Sequence, residues 1–280
     1  MAINFKIFCI GLTSLWTFLF ILLPLLMIAV TSLLFNDPIN FVEFKFSLNA
    51  YLDLFKHPQY LEAFWQSLKL SGISSFLCLL LAYPFAFFLT QLSRSKQLLC
   101  LVFLSVPFWI NSLVRTYAVK IFLAQKGPLN TLGISLGLWE TPIQFLYTQG
   151  AVIAGLVYIL FPFMALPLYA SLEKLDHKLI EAALDLGANK FWVFWKIIFP
   201  LSLPGIVAGF ILVFLPGLGL FYIADMLGGA KILLLGNVIK GQFFEARNWP
   251  LGSAISLFLI LLLGIFFLIL QKHEERNEQK

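Results

Sequence analysis

The polar residues whose types and spacing could do chemistry are concentrated in one stretch between two long apolar runs. Glu181 and Asp185 are four positions apart, so on a helix both carboxylates lie on one face. Two like charges at this spacing repel each other, which favours a basic partner surface as their counterpart, although a solvated amphipathic loop is the alternative. Ala182 and Ala183 add little bulk and allow a partner to approach the backbone closely. The pattern indicates recognition of another macromolecule.

Elsewhere the sequence lacks the spacings of catalytic and metal sites. It has no G-x-x-x-x-G-K-[ST] phosphate-binding loop, no nucleophile elbow and no catalytic triad. The histidines His57, His177 and His273 are far apart, and Cys9, Cys78 and Cys100 fall in or beside apolar runs as small buried residues would. We therefore expect no metal site, no bound cofactor and no enzymatic activity in this chain.

The composition is that of an integral membrane protein. Of the 280 residues, 60% are hydrophobic and only 12% are charged, with a mean hydropathy of +0.92. Soluble domains carry about 25% charged residues. The net charge of +5 is not gathered on a soluble face with interleaved aromatics, which excludes nucleic acid as a partner. It is instead typical of cytoplasmic loops and of contacts with anionic lipid.

Six apolar stretches are long enough to cross a membrane, since a helix needs about 20 residues for a hydrocarbon core of about 30 Å. We expect an all-α membrane fold in one domain, residues 1–280, with an uncleaved first helix and both termini on the side of the Glu181 stretch. Lys and Arg are in modest excess on that side, which is therefore assigned to the cytoplasm. The predicted spans are residues 7–34, 68–90, 98–123, 150–172, 201–224 and 251–270, and the polar loop is 173–200.

Local signals divide the polar loop into two short helices. Asp176 can cap the first helix, and Gly187 suits the left-handed position that ends it. Asn189 can cap a second helix, Lys190–Phe199, which Pro200 is expected to end because it lacks an N–H donor.

The loop resembles the E-A-A-x-x-x-G-x9-I-x-L-P signature through which ABC-importer permeases grip their ATPase. The matching positions are Glu181, Ala182, Ala183, Gly187, Ile197 and Pro200, while Phe199 stands where the family usually has Leu. Segments 108–115, 155–160, 219–231 and 236–240 are similar to the first permease subunit of spermidine/putrescine ABC importers.

This resemblance implies a MetI-like ABC importer permease of the cell inner membrane. It implies a heterodimer with a second homologous permease, a cytoplasmic ATPase dimer that carries ATP and Mg, and an external polyamine-binding protein. Glu181, Ala182, Ala183, Asp185 and Gly187 would then couple to the ATPase. The alternatives are a permease of the same fold for thiamine, iron or an anion, and an ATP-independent channel or carrier. The preference between putrescine and spermidine stays open.

Residues in the third and fifth predicted spans are candidates for the substrate path. The fifth span is rich in Pro and Gly, and we expect it to be kinked or interrupted and to line the path. Asp225 beside Tyr222 suits an ammonium ligand, or it is an ordinary turn residue. Arg115 would repel a cation, so we interpret it as snorkelling to headgroups or pairing with a carboxylate. The candidates are Trp109, Asn111, Tyr117, Tyr222 and Asp225.

Overall fold

A computed structural model of the chain describes residues 2–37, 39–229 and 232–278, and fourteen α-helices with one two-stranded antiparallel sheet are found in these ranges. The elements are α1 (Ala2–Thr17), α2 (Leu23–Thr31), β1 (Leu34–Phe35), β2 (Glu43–Phe46), α3 (Asn49–Lys56), α4 (Pro58–Thr90), α5 (Arg94–Ser105), α6 (Ser112–Phe122), α7 (Pro128–Ser135), α8 (Gln149–Glu173), α9 (His177–Asp185), α10 (Lys190–Val193), α11 (Phe199–Gly219), α12 (Phe221–Ile223), α13 (Leu235–Phe244) and α14 (Trp249–Glu278). Three π-helical turns, Phe18–Leu22, Phe194–Ile198 and Ala224–Gly228, and a 3₁₀ turn, Val106–Trp109, join some of them.

The predicted all-α membrane class is confirmed. Four helical stretches are long and apolar enough to cross a bilayer: Cys9–Thr31, Pro58–Thr90, Gln149–Glu173 and Lys190–Gly219. The second of these begins ten residues before the predicted start, because Pro58 is well suited to the first helical turn. The sixth predicted span lies on α14, where Trp249–Ile265 is a shorter apolar helix.

The third predicted span is not one continuous helix, and that expectation was wrong. α5 and α6 meet at a bend of 95°. Pro107 is the second residue of the 3₁₀ turn, and Asn111 then leaves the helical region with ψ 134° and caps α6. A bend of this size in an apolar segment is tolerated where the freed backbone groups find other partners, and here the Asn111 side chain accepts a hydrogen bond from Leu113 N.

The fifth predicted span is interrupted near its end. α11 runs without a break through Pro204 and Pro216 and ends at Leu220, where ψ reaches 63°. Its glycines serve close packing: a Cβ at Gly205 would lie 2.5 Å from Ser171 Cβ, and one at Gly209 would lie 2.7 Å from Met164 Sδ. Small residues allow helices in a membrane to approach closely, since van der Waals contact drives their association there.

The chain divides into two compact units. The first comprises residues up to 63 and from 238 onwards. Within it α14 packs against α2 and α3, and the Ser32 and Tyr51 hydroxyls are hydrogen-bonded at 2.8 Å. Trp249 on α14 lies against the rings of Phe41 and Phe243, at 5.0 and 6.0 Å between centroids.

The second unit, residues 64–237, is built around α8. One stripe of this helix is buried to 2% exposure or less: Val152, Leu156, Leu160, Met164 and Leu168. α11 packs along α8, and α4 is tied to α11 by a 2.6 Å hydrogen bond from the Ser71 hydroxyl to the Phe214 carbonyl. A helix that is apolar all round is buried in this way, so α8 forms the centre against which the loop-bearing helices are positioned.

Candidate functional site

The polar loop begins with a capped amphipathic helix, as the sequence predicts. The Asp176 carboxylate accepts a 3.0 Å hydrogen bond from Lys178 N and starts α9. Ile180 and Ala183 on one side of α9 pack against the core, whereas Glu181, Ala182 and Asp185 are exposed. α9 therefore rests on the protein by its apolar face and presents the carboxylates outward.

Gly187 ends α9 in the left-handed conformation, with φ +85°, and this prediction is confirmed. The N–H of Ala188 donates to the Ala183 carbonyl at 3.0 Å, and the N–H of Gly187 donates to the Leu184 carbonyl at 2.9 Å. These two bonds form a complete Schellman motif, which satisfies carbonyls that the helix would otherwise leave without donors.

The second half of the loop runs directly into the membrane-spanning helix. The Asn189 side chain accepts a 2.7 Å hydrogen bond from Trp192 N and caps α10, as predicted. The expectation that Pro200 ends this helix was wrong, because Lys190–Gly219 is one helical stretch. The π-helical turn Phe194–Ile198 lies directly before Pro200, so the hydrogen-bond pattern of the helix changes just where Pro200 lacks an N–H donor.

Exposed apolar side chains surround the turn between α9 and α10. Leu186 is 89% exposed, Phe191 73% and Trp192 51%. A surface concavity of about 460 Å³ lies between them, lined by Ala183, Leu186, Gly187, Ala188, Asn189 and Trp192. A patch of apolar side chains beside exposed carboxylates is typical of a protein–protein contact surface.

The candidate path residues lie on two neighbouring elements. Trp109 is 86% exposed at the bend, Asn111 caps α6, and Tyr117 is exposed on α6 with Lys120 Nζ 6.0 Å from its ring centroid. α6 packs against the π-helical turn Ala224–Gly228, which carries Asp225. The structure thus brings the two candidate groups onto adjacent elements.

Asn237 is a residue of this region whose role sequence reasoning missed. Its Nδ2 donates to Asp225 Oδ1 at 2.5 Å and to the Phe221 carbonyl at 3.0 Å, and its Oδ1 accepts from Leu234 N at 3.1 Å. Asn237 therefore orients the Asp225 carboxylate and joins it to the helix break at Leu220. The available signal was a single amide within the apolar run 232–239.

No group of His, Cys, Asp and Glu with the geometry of a metal site occurs in the part of the chain that the structure describes. Asp225 is exposed, whereas Tyr222 is half-buried against the core. A carboxylate at this position, three residues after the Tyr222 ring, can attract an ammonium group by charge and by cation–π contact.

Comparison with known proteins shows close relatives along almost the whole chain. It is 51% identical over 254 residues to the spermidine/putrescine transport system permease protein PotB of Escherichia coli (strain K12), covering 91% of this chain and 92% of that one. It is 49% identical over 254 residues to the protein of the same name in Haemophilus influenzae, covering 91% and 88%. The inner membrane ABC transporter permease protein YdcU of Escherichia coli is 31% identical over 206 residues, covering 69% and 65%.

Solved structures share the fold. A bacterial ABC transporter involved in the import of alginate superimposes with a TM-score of 0.78 at 18% identity, over 99% of this chain and 97% of that chain. The alginate transporter in complex with its pentasaccharide-bound periplasmic protein gives 0.77 at 16% identity, over 95% and 92%. The family model for the binding-protein-dependent transport system inner membrane component matches residues 63–279. The chain therefore belongs to the family of inner membrane components of binding-protein-dependent transport systems.

Proposed function

We propose that this chain is the permease subunit of an ATP-driven importer of spermidine and putrescine, which moves its substrate by alternating access. The observation that carries the proposal is the identity of about half of all aligned residues with permeases named for that transport, over 91% of the chain. The exposed carboxylate of Asp225 beside aromatic side chains is consistent with a polyammonium substrate.

In this proposal the polar loop 173–200 receives the ATPase on the cytoplasmic side, where both termini also lie. Glu181, Ala182, Ala183, Asp185 and Gly187 form or shape the contact. Support comes from the exposed carboxylates, the apolar concavity beside them and the capped geometry of α9. Because Lys190–Gly219 is one helical stretch, a push on the loop is transmitted directly to α11.

The proposed assembly contains a second permease, an ATPase dimer and an external polyamine-binding protein. ATP and Mg are held by the ATPase in this assembly. The substrate passes Tyr222 and Asp225, with Trp109, Asn111 and Tyr117 on the adjacent wall. The neighbouring α6 and the 224–228 turn support this grouping.

Uptake by the reconstituted importer tests the proposal. Proteoliposomes containing both permeases, the ATPase dimer and the binding protein should accumulate labelled spermidine and putrescine only when ATP is supplied. The matched control carries an ATPase that binds ATP but cannot hydrolyse it. ATPase stimulation by an anion, thiamine or iron in place of polyamines would assign another solute, and uptake that survives the inactive ATPase would indicate a carrier.

A further inference from the structure

A cavity with a single cationic side chain lies between α4, α8 and the bend that joins α5 to α6. Its volume is about 300 Å³, which is at the lower end of ligand-binding pockets. Leu104, Val157 and Phe161 are among its apolar walls, and Arg115 is the one charged residue that lines it. The cavity is therefore shaped for a molecule that is mostly hydrocarbon and carries one negative charge.

The Arg115 side chain is buried in the wall of this cavity. Its side chain is only 7% exposed, so the guanidinium lies among protein side chains. Its Nε has no hydrogen-bond acceptor among the described residues, and no described carboxylate forms an ion pair with it. The Arg115 guanidinium lies over the ring of Phe108, with Cζ 5.6 Å from the ring centroid, and this cation–π contact stabilises its charge.

A buried guanidinium in this state needs a counter-ion. Removing an unpaired charge from water is costly, and the face of an aromatic ring offsets only part of that cost. Arg115 also lies near the N-terminus of α6, where the helix dipole adds positive potential. Both features favour an anion at this position.

The cavity opens toward the surface that hydrocarbon would cover. Leu81 and Phe103, which line it, are 52% and 67% exposed. With the Ser93 turn on the cytoplasmic side, the twelve residues of α5 rise roughly 18 Å, which is more than half of a hydrocarbon core of about 30 Å. Arg115 follows the bend and so lies in the outer half of the membrane, within reach of the outer headgroups.

We propose that this cavity binds an anionic phospholipid of the outer leaflet, with its phosphate on Arg115 and an acyl chain against Leu104, Val157 and Phe161. A carboxylate from the partner permease would neutralise the charge of Arg115, but it would leave the apolar part of the cavity unfilled. One amphipathic molecule satisfies both features together. Basic pockets between membrane helices recognise lipid headgroups in the same way.

The outer-leaflet position and the consequence for transport rest on the proposed function and its topology, whereas the fit of an anionic lipid to the cavity does not. Trp109 and Tyr117 lie near Arg115 in the chain on the proposed cation path. A phosphate that neutralises Arg115 removes a repulsive charge from beside that path.

Quantifying retained lipid by mass spectrometry tests the site. The assembled importer is purified from nanodiscs of equal phosphatidylglycerol and phosphatidylethanolamine, and bound lipid is counted for the wild type and three variants. Arg115→Gln removes the charge, and Leu104→Trp fills the cavity while keeping the charge. Lys120→Gln is the matched control, because it removes one charge from the same helix without lining the cavity.

Wild type and Lys120→Gln should retain phosphatidylglycerol in preference to phosphatidylethanolamine. Arg115→Gln and Leu104→Trp should both retain at least about tenfold less of it. Unchanged phosphatidylglycerol in Arg115→Gln overturns the proposal, and release of the second permease by that variant without lipid loss assigns Arg115 to a partner carboxylate. If Arg115→Gln does not assemble, Leu104→Trp decides, and full lipid retention in it places the lipid outside this cavity.

Discussion

At the scale of single residues, a hydrogen bond from Asn237 orients the carboxylate of Asp225. Asn237 is only 8% exposed, and its amide reaches Asp225, Phe221 and Leu234 at once. One side chain thus fixes the carboxylate, the helix break and the following loop.

Replacing Asp225 with Asn should weaken polyamine transport. A hydrogen bond or contact to a charged group contributes about 1.5–3 kcal/mol, so the KM for spermidine should rise by about tenfold or more while complex assembly is unchanged. Labelled uptake against substrate concentration measures this, and Glu140→Gln, which removes an exposed carboxylate of the same predicted outer side, is the control. Unaltered KM in Asp225→Asn would remove it from the path.

At the scale of elements, local hydrogen bonds at the helix ends hold the loop between α8 and α11 in its conformation. α9 is capped by Asp176 at its start and by the Schellman turn at Gly187, and α10 is capped by Asn189. Each cap supplies partners for backbone groups at a helix end. The loop can therefore hold the exposed carboxylates of α9 in one geometry while α10 continues into α11.

Gly187→Ala should weaken the grip on the ATPase without unfolding the membrane helices. A Cβ at Gly187 meets nothing within 4 Å, so the expected cost is the left-handed backbone alone, about 1–2 kcal/mol. Retention of the ATPase during purification of the complex measures the effect. Gly137→Ala is the matched control, since Gly137 has φ +69° and equally open surroundings in another loop. Equal loss in both variants, or loss in neither, contradicts a coupling role.

Gly205→Leu should separate α11 from α8. A Cβ there would lie 2.5 Å from Ser171 Cβ and 2.9 Å from the Pro167 carbonyl oxygen. Overpacking of this kind costs about 1–3 kcal/mol, so the midpoint of thermal unfolding of the purified chain in detergent should fall by several degrees. Gly72→Leu, where nothing lies within 4 Å, should leave the midpoint unchanged. A similar fall in both variants would show that close packing at Gly205 does not determine how α11 packs against α8.

At the scale of the whole molecule, the proposed function requires the α9–α10 loop to lie on the cytoplasmic side of the membrane. The α9–α10 loop and the loop around α7 belong to opposite sides of the proposed topology, and each carries strongly exposed side chains. Leu186 is 89% exposed in the first and Leu138 is 67% exposed in the second. In the proposed topology each position is therefore accessible to a membrane-impermeant reagent from one side only, and the two sides are opposite.

Cysteine labelling tests this topology. After replacement of the native cysteines, Leu186→Cys should react with a membrane-impermeant maleimide in inside-out vesicles, and Leu138→Cys should react in right-side-out vesicles. Permeabilised vesicles, in which both should react, are the control. The opposite labelling pattern would place the polar loop outside the cell and make contact with a cytoplasmic ATPase impossible.

Much of the local design can be predicted from the sequence. The caps at Asp176 and Asn189 and the left-handed Gly187 are predictable because each depends on the chemistry of one side chain and its immediate backbone. The continuity of α10 and α11 is not, since the π-helical turn that places Pro200 inside the helix depends on surrounding packing. The role of Asn237 is likewise set by contacts with residues 12 and 16 positions away.

The sequence by itself determined the membrane class and the capped polar loop, because hydropathy and capping are local properties. Only the tertiary structure decided the 95° bend between α5 and α6, the clamp of Asn237 on Asp225 and the burial of Arg115 in an apolar cavity. These depend on which surfaces of distant helices meet. A polar residue in an apolar run can face lipid, a neighbouring helix or a cavity, and helical spacing alone does not distinguish among them.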